Sequence, residues 1–412
     1  MTAPACRFCG APLTHTFVDL GDQPLANSYL TAEQLAAGTE ATYPLHARVC
    51  HACFLVQVDD AVPADAIFDE GYAYFSSYSA SWVEHARRYA EAMIERFGLG
   101  PESLVVEVAS NDGYLLQHFL ARDIRVLGVE PTANTAEAAR ARGIPTEVMF
   151  FGDASGQALA ARGDRADLMT ANNVLAHVPD ISGFVAGFQH LLKEEGVLTF
   201  EFPHLLNLIE KVQFDTIYHE HFSYLSLLAV EQVLGANGLR VFDVEQLPTH
   251  GGSLRLFCCH QASGHRETQA LLALRATEAA AGLGEAETYD GFTARVEAVR
   301  DSFQGFLDAA REDGKVIAAY GAAAKGNTFL NYCGTTSADI VCAYDANPAK
   351  QGRYLPGSHV PVFAPTAVGD TRPDYVLILP WNLKDEITRQ LAFIAEWGGR
   401  VVIASPETRV LD

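Results

Sequence analysis

Leu104-Val-Val-Glu-Val-Ala-Ser-Asn-Asp-Gly113 decides how this chain is read. A short apolar run carries an acidic residue, Glu107, and runs into a turn of small residues. The turn opens a predicted helix from Tyr114 to Ala121, and the next strand, Ile124 to Val129, ends in Glu130. A strand, a tight turn, a helix and a second carboxylate one strand later are how a doubly wound sheet holds a nucleoside. The turn brings backbone N–H groups close to the ligand, and the second acid takes both ribose hydroxyls. The turn lacks G-x-G-x-x-G, and the first strand carries its own acid. That favours S-adenosylmethionine (SAM) over a dinucleotide, because SAM has no pyrophosphate and offers a cationic amino-acid end. The expected cofactor contacts are Glu107, Ser110, Asn111, Gly113 and Glu130, with Asn172 from a later strand.

Working outward, strands and helices alternate from 104 to 203, with strands at 104–109, 124–129, about 145–149, 167–172 and 196–202. This is a βαβ series and predicts a parallel sheet. Asn172 falls at the carboxyl end of its strand, where open α/β sheets bind ligands. Upstream, an aromatic, Ser-rich segment (Tyr72-Ala-Tyr-Phe-Ser-Ser77) precedes a helix near Ser81 to Phe97. Residues 205–260 break the rhythm: a polar-aromatic segment at 214–224, a helix at 226–237 and two strands at 239–246 and 252–259. Residues 262–313 are helical, with a break at Gly282-Leu-Gly284. A second strand-helix series follows. Val316 to Tyr320 is a strand, Gly321-Ala-Ala-Ala-Lys-Gly-Asn327 a turn and Thr328 to Tyr332 the start of a helix. Further strands are predicted at 339–344, 375–379 and 400–403.

Cys6-Arg-Phe-Cys9 and Cys50-His-Ala-Cys53 form a C-x2-C…C-x2-C set. Each pair puts two thiolates on one turn, and two turns complete a tetrahedron around Zn²⁺. Four thiolates leave no open coordination position, so the metal is structural. His46 and His51 read as bystanders, and Cys258, Cys259, Cys333 and Cys342 as buried residues.

The chain has 412 residues, 49% of them hydrophobic, enough for two to three domains with sizeable cores. A net charge of −22 argues against nonspecific nucleic-acid binding, which runs on Lys and Arg. No apolar stretch reaches the ~20 residues of a membrane span, and the N-terminus lacks a signal-peptide pattern. A cytoplasmic protein with no membrane partner is expected.

The order of motifs identifies a family resemblance. Its markers are Cys6-Arg-Phe-Cys9 with Leu20-Gly-Asp-Gln-Pro-Leu25, Ala109-Ser-Asn-Asp-Gly113, Asn172-Asn-Val-Leu-Ala-His-Val178 and Tyr218-His-Glu-His-Phe-Ser-Tyr224. His250-Gly-Gly-Ser-Leu-Arg255 and Gly321-Ala-Ala-Ala-Lys-Gly-Asn327 complete the set. Over its whole length the chain resembles the SAM-dependent sugar C-methyltransferases of deoxysugar biosynthesis. Those enzymes alkylate a carbon next to the keto group of a nucleotide-linked 4-keto-6-deoxyhexose. The resemblance implies a zinc-binding domain over 1–65, a class I methyltransferase domain over 66–261, and a helical linker with a Rossmann-like nucleotide-sugar domain over 262–412. It also implies His221 as the base, with Tyr218, Glu220, His177 and Tyr72 at active-site positions, and a monomer acting on a thymidine-linked sugar.

The residues suit that chemistry. A carbon next to a ketone becomes a nucleophile once its proton is removed, and histidine is the usual near-neutral base. The enolate oxygen then needs a donor such as Tyr218 or His177. Glu220 can orient an imidazole or bind a sugar hydroxyl or amine. His219 and His221 alternate, so in an extended segment they point different ways. The Gly321–Asn327 turn offers N–H groups and Lys325 as an anion site. Lys325, Asn327 and Asp345 are expected to contact the nucleotide diphosphate, and His250 and Arg255 the substrate. Asn347, Lys350 and Pro380-Trp-Asn382 follow strands of the same unit. Carbon 3 is the commoner family outcome, though carbon 5 also flanks the ketone. Methylation at oxygen or nitrogen, a binding protein with a retired fold, and a nicotinamide oxidoreductase are the competing readings. The His/Glu/Tyr cluster favours carbon, because a free amine needs no base of this kind.

Overall fold

The computed structural model describes residues 4–62 and 75–411; Tyr72, expected at the active site, lies outside them. The N-terminal part, turn-rich by sequence, forms an antiparallel sheet of β1 (His15–Gln23), β2 (Tyr43–Val49) and β3 (Val56–Val58). Alternation drives it: Leu45, Ala47 and Val49 of β2 are buried, while His46 and Arg48 between them face outward. The two Cys-x2-Cys turns sit before β1 and between β2 and β3.

The middle sheet is built on five parallel strands: β4 (Leu104–Val108), β5 (Arg125–Val129), β6 (Thr146–Glu147), β7 (Ala166–Asn172) and β8 (Leu192–Pro203). Every residue of β4 is buried, as in a strand covered on both faces. The next strand, β9 (Ser223–Tyr224), leaves this sheet and pairs antiparallel with β3. The Tyr218–Tyr224 segment thereby completes the N-terminal sheet. β10 (Leu239–Leu247) and β11 (Ser253–His260) then add an antiparallel pair to β8, giving the order β10-β11-β8-β7-β4-β5-β6. Strand order reverses between β4 and β7, and their carboxyl ends open the crevice that such sheets use for ligands.

The helix Ala80–Phe97 covers one face. Ser79 caps it by accepting from Trp82 N, and Gly98 ends it in a left-handed conformation. Ala86, Tyr89, Ala90 and Met93 form its buried stripe at helical spacing.

The C-terminal sheet comprises β12 (Ile317–Tyr320), β13 (Ala343–Tyr344), β14 (Val362–Phe363), β15 (Tyr375–Ile378), β16 (Arg400–Ile403) and β17 (Arg409–Leu411). Its order is β14-β13-β12-β15-β16-β17, parallel except for β17. Some boundaries differ from expectation. The helix expected from Thr328 begins at Ala324, which puts Lys325 on its first turn. The helix expected from Tyr114 begins at Leu116, and β6 and β13 are two-residue strands.

The helix Phe292–Glu312 lies between the outer sheets. Phe292 stacks on Phe17 of β1 at 4.3 Å, and Thr293 Oγ1 donates to the Phe17 carbonyl. One apolar core runs from the N-terminal sheet through this helix to β12 and β15. Among the described residues no helix is long and apolar enough to cross a membrane.

Candidate active site at the three-domain junction

The four N-terminal cysteine sulfurs lie within 4.8 Å of one another, with Cys6–Cys53 at 3.6 Å and Cys9–Cys50 at 3.5 Å. Bonds of about 2.3 Å to a tetrahedral zinc give sulfur–sulfur edges of about 3.8 Å, so the donor set fits Zn²⁺. Gln57 Nε2 donates to Cys6 Sγ at 3.2 Å and Ala52 N to Cys50 Sγ at 3.4 Å, as suits charged sulfur. The hydrogen bond from Cys53 holds Cys6 well below the usual thiol range.

A cavity of about 520 Å³ opens above β4 and β7 and takes its walls from all three parts of the chain. Its first end is the turn after β4. Ala109, Asn111 and Gly113 all have positive φ (56°, 50° and 79°), and a Cβ on Gly113 would overlap Ile144. Glu130, at the end of β5, accepts from Asn111 N and Thr132 N, each at 2.9 Å, and lines the cavity with Asn111 and Asn172. Glu107 lies beneath the turn. Among the described residues its Oε2 has no hydrogen-bond partner, and burial, reinforced by the Glu130 and Asp112 charges, pushes its carboxyl well up. The negative Glu130 and Asp112 carboxylates that raise Glu107 fit a nucleoside that carries a cationic end, as SAM does. Ser110 and Gly113 sit inside the turn; Ser110 packs against Gly128.

The second region is the segment between β8 and β9. Its pairing with β3 turns His219 away from the cavity, where Nε2 donates to the Pro44 carbonyl at 3.2 Å. His221 faces in. Its ring is 4.1 Å from that of Tyr218 and 4.6 Å from that of His177, centroid to centroid. His221 Nδ1 is 3.0 Å from the Thr216 carbonyl, which only accepts, so Nδ1 carries the proton and Nε2 keeps its lone pair. Burial holds His221 well below the usual histidine range, and His177 adds to the effect. Burial likewise lowers His177 and His250, each to about 4. A neutral imidazole with a fixed tautomer is the form a general base requires.

The third region comes from the C-terminal unit. Lys325 and Lys350 line the cavity. Lys325 Nζ donates to Asn382 Oδ1 at 2.8 Å and lies 4.5 Å from the centre of the Trp381 ring. Trp381 in turn donates to Asp215 at 2.6 Å, and burial raises that carboxyl to about 6 against the pull of Lys325. Lys350 Nζ donates to the Ala322 carbonyl at 2.6 Å.

Three expected substrate contacts are placed differently. Arg255 is committed to Glu201 at 3.0 Å and Glu245 at 2.7 Å and lies over the Tyr89 ring, away from the cavity wall. Asn327 is fully buried and donates to the Ala26 carbonyl at 2.7 Å, joining two domains. Asp345 accepts from Ala322 N at 2.6 Å and Asn347 N at 2.8 Å, so it shapes the Gly321 turn from behind. His250 does reach the cavity, at φ +52° and edge-on to Trp82. Asn27 and Trp82 are among the lining residues that were not expected. The signal for Asn27 was its place directly after the Leu20–Leu25 marker; Trp82 had none.

Family comparisons agree with this layout. Three family models match in chain order: "Putative zinc binding domain" over residues 6–68, "Methyltransferase domain" over 82–244, and "C-methyltransferase C-terminal domain" over 248–406. The C-methyltransferase NovU of Streptomyces niveus is 37% identical over 407 residues, covering 99% of this chain and 96% of that protein. A ubiquinone biosynthesis O-methyltransferase of Rhodopseudomonas palustris is 23% identical over 158 residues, 33% of this chain and 62% of that protein. Among solved structures, the SAM-bound magnesium protoporphyrin IX methyltransferase of Synechocystis is similar over 48% of this chain and 89% of its own, at 15% identity and a TM-score of 0.33. With its cysteine cluster, its cofactor crevice and NovU matched end to end, the chain belongs to the SAM-dependent C-methyltransferases that join a zinc-binding domain, a methyltransferase domain and a C-methyltransferase C-terminal domain.

Proposed function

We propose that the chain methylates carbon 3 of a thymidine-diphosphate-linked 4-keto-6-deoxy sugar. The observation that carries this reading is the single cavity that joins the Asn111–Glu130 crevice, the His221–Tyr218–His177 cluster and the Lys325–Lys350 pair. Bound in the crevice, SAM supplies an electrophilic methyl group, with Glu130 on its ribose and the Glu107–Gly113 turn supporting its amino-acid end. His221 Nε2 takes the proton next to the ketone, and Thr216 holds the other ring nitrogen. Tyr218 donates to the oxygen that gains charge, an interaction that strengthens only as the enolate forms, while the single N–H of neutral His177 is held by the Glu220 carbonyl. Lys325 and Lys350 meet the diphosphate.

A repeated detail supports a nucleotide in the C-terminal unit. Asp345 grips the turn after β12 and the residue two positions on, as Glu130 does after β4. The direct test is turnover of methyl-labelled SAM with a thymidine-linked 4-keto-6-deoxy sugar, followed by NMR of the product. Label on a ring carbon next to the ketone is expected. Label on oxygen or nitrogen refutes carbon chemistry, and label on carbon 5 corrects the position.

A further inference from the structure

Among the described residues, the N-terminal domain reaches the cavity through one residue, Asn27. Asn27 lies on the wall, and its Nδ2 donates to Glu220 Oε1 at 2.7 Å. A carboxylate only accepts, so the amide must present its nitrogen, and the orientation of Asn27 is fixed. The strap that carries it is tied down on both sides. Asn327 Nδ2 donates to the Ala26 carbonyl at 2.7 Å and Tyr29 Oη to the Ala322 carbonyl at 2.5 Å. Leu30 and Tyr354 exchange backbone hydrogen bonds at 3.1 and 2.9 Å. The backbone of Glu220 is held as well, because a ring N–H of His177 donates to its carbonyl. Glu220 Oε2 has no hydrogen-bond partner among the described residues and remains for a ligand.

We infer that Asn27 is a positioning residue: it aims the Glu220 carboxylate into the cavity and holds it there, so the zinc-binding domain contributes to the reaction site and not only to folding. The inference rests on the preceding reading in that Glu220 acts there as a carboxylate, binding a sugar hydroxyl or ammonium through Oε2. Burial alone pushes Glu220 up, and the Asn27 hydrogen bond opposes it. The titratable groups around Glu220 are Tyr29 on the strap, His177, Tyr218 and His221 beside it, His250 across the cavity, and Lys325, Lys350 and Asp345 from the C-terminal unit. Asn27 is the neighbour whose hydrogen bond lowers Glu220.

The experiment compares wild type with Asn27→Ala and with the similarly sized Asn27→Leu, which lacks the donor and adds no charge. Carboxyl infrared titration, with Glu220→Gln to assign the band, reads Glu220 without any substrate. A hydrogen bond to a charged group is worth enough to move that titration upward by about 1–2 pH units when it is lost. The acid limb of kcat/KM should move by the same amount. Activity then falls on the acid side of the profile and recovers as the pH is raised, while zinc content and thermal midpoint stay put. A pH-independent loss, or an unmoved Glu220 band, overturns the inference. A shifted band in protein that turns over no nucleotide ketosugar retires the functional reading and leaves the Asn27–Glu220 coupling standing.

Discussion

Replacing His221 by Asn tests the chemistry most directly. Asn retains an N–H that can satisfy the Thr216 carbonyl, now held by His221 Nδ1 at 3.0 Å, so the segment keeps an anchor. What disappears is the lone pair on Nε2. General base catalysis contributes about 10²–10⁴-fold, which is roughly 3–5 kcal/mol of barrier, and kcat should fall by that factor. SAM affinity should persist, because Glu130 and Asn111 are untouched. The assay separates proton removal from methyl transfer. Enzyme, ketosugar and S-adenosylhomocysteine are incubated in deuterium oxide, and deuterium uptake next to the ketone is followed by NMR. Wild type should exchange and His221→Asn should not. The pH profile adds a second check. Burial depresses His221, so its neutral, active form persists as pH falls through the ordinary histidine value of about 6.5. The limb that His221 sets should therefore lie below that value. A variant that exchanges and methylates at the wild-type rate refutes the assignment, and His219 is a poor substitute because it faces Pro44.

Other outcomes follow from the same geometry. Glu130→Ala should weaken SAM at least tenfold by calorimetry, since each lost charge-assisted hydrogen bond costs about 1.5–3 kcal/mol and the Asn111 turn loses its acceptor too; unchanged affinity would place the cofactor elsewhere. Lys325→Ala and Lys350→Ala should each raise the KM for the nucleotide sugar about tenfold or more and leave SAM binding alone. A fall in kcat at constant KM would move either lysine from the diphosphate to the reacting end. Metal analysis should find one zinc per chain, and Cys50→Ser should lower the thermal midpoint and zinc content together, because metal binding and folding are coupled. Protein purified without zinc and of undiminished stability would end that assignment.

Much of the site was legible where its signal is local. The Cys-x2-Cys spacing, the Glu107–Gly113 turn and Glu130 each declare themselves within a few residues, because one turn or one strand end fixes their geometry. The opposite headings of His219 and His221 followed from strand alternation. Arg255 was misplaced because its sequence neighbours belong to a marker motif, while its actual partners, Glu201 and Glu245, arrive from strands on either side of β11. Asn327 and Asp345 sit in an anion-binding turn by sequence but spend their side chains on Ala26, Ala322 and Asn347. Asn27 meets Glu220 across 193 positions of chain, and no local pattern encodes such a contact. The strands β1 to β3 were hidden by the turns around the cysteines.

The pairing of β9 with β3 has a consequence for how the protein can be rebuilt. The N-terminal sheet is finished by two residues that follow it by more than a hundred and sixty positions, so the emerging chain cannot close that sheet until Tyr224 has left the ribosome. The unit that can be exchanged between relatives is accordingly discontinuous. A hybrid that takes residues 4–62 from one parent and 214–224 from another splices a sheet across its own seam, and it draws the Asn27 strap and the His221 segment from different parents. Hybrids that transfer both stretches together keep the seam within one parent and should retain their zinc and their activity together.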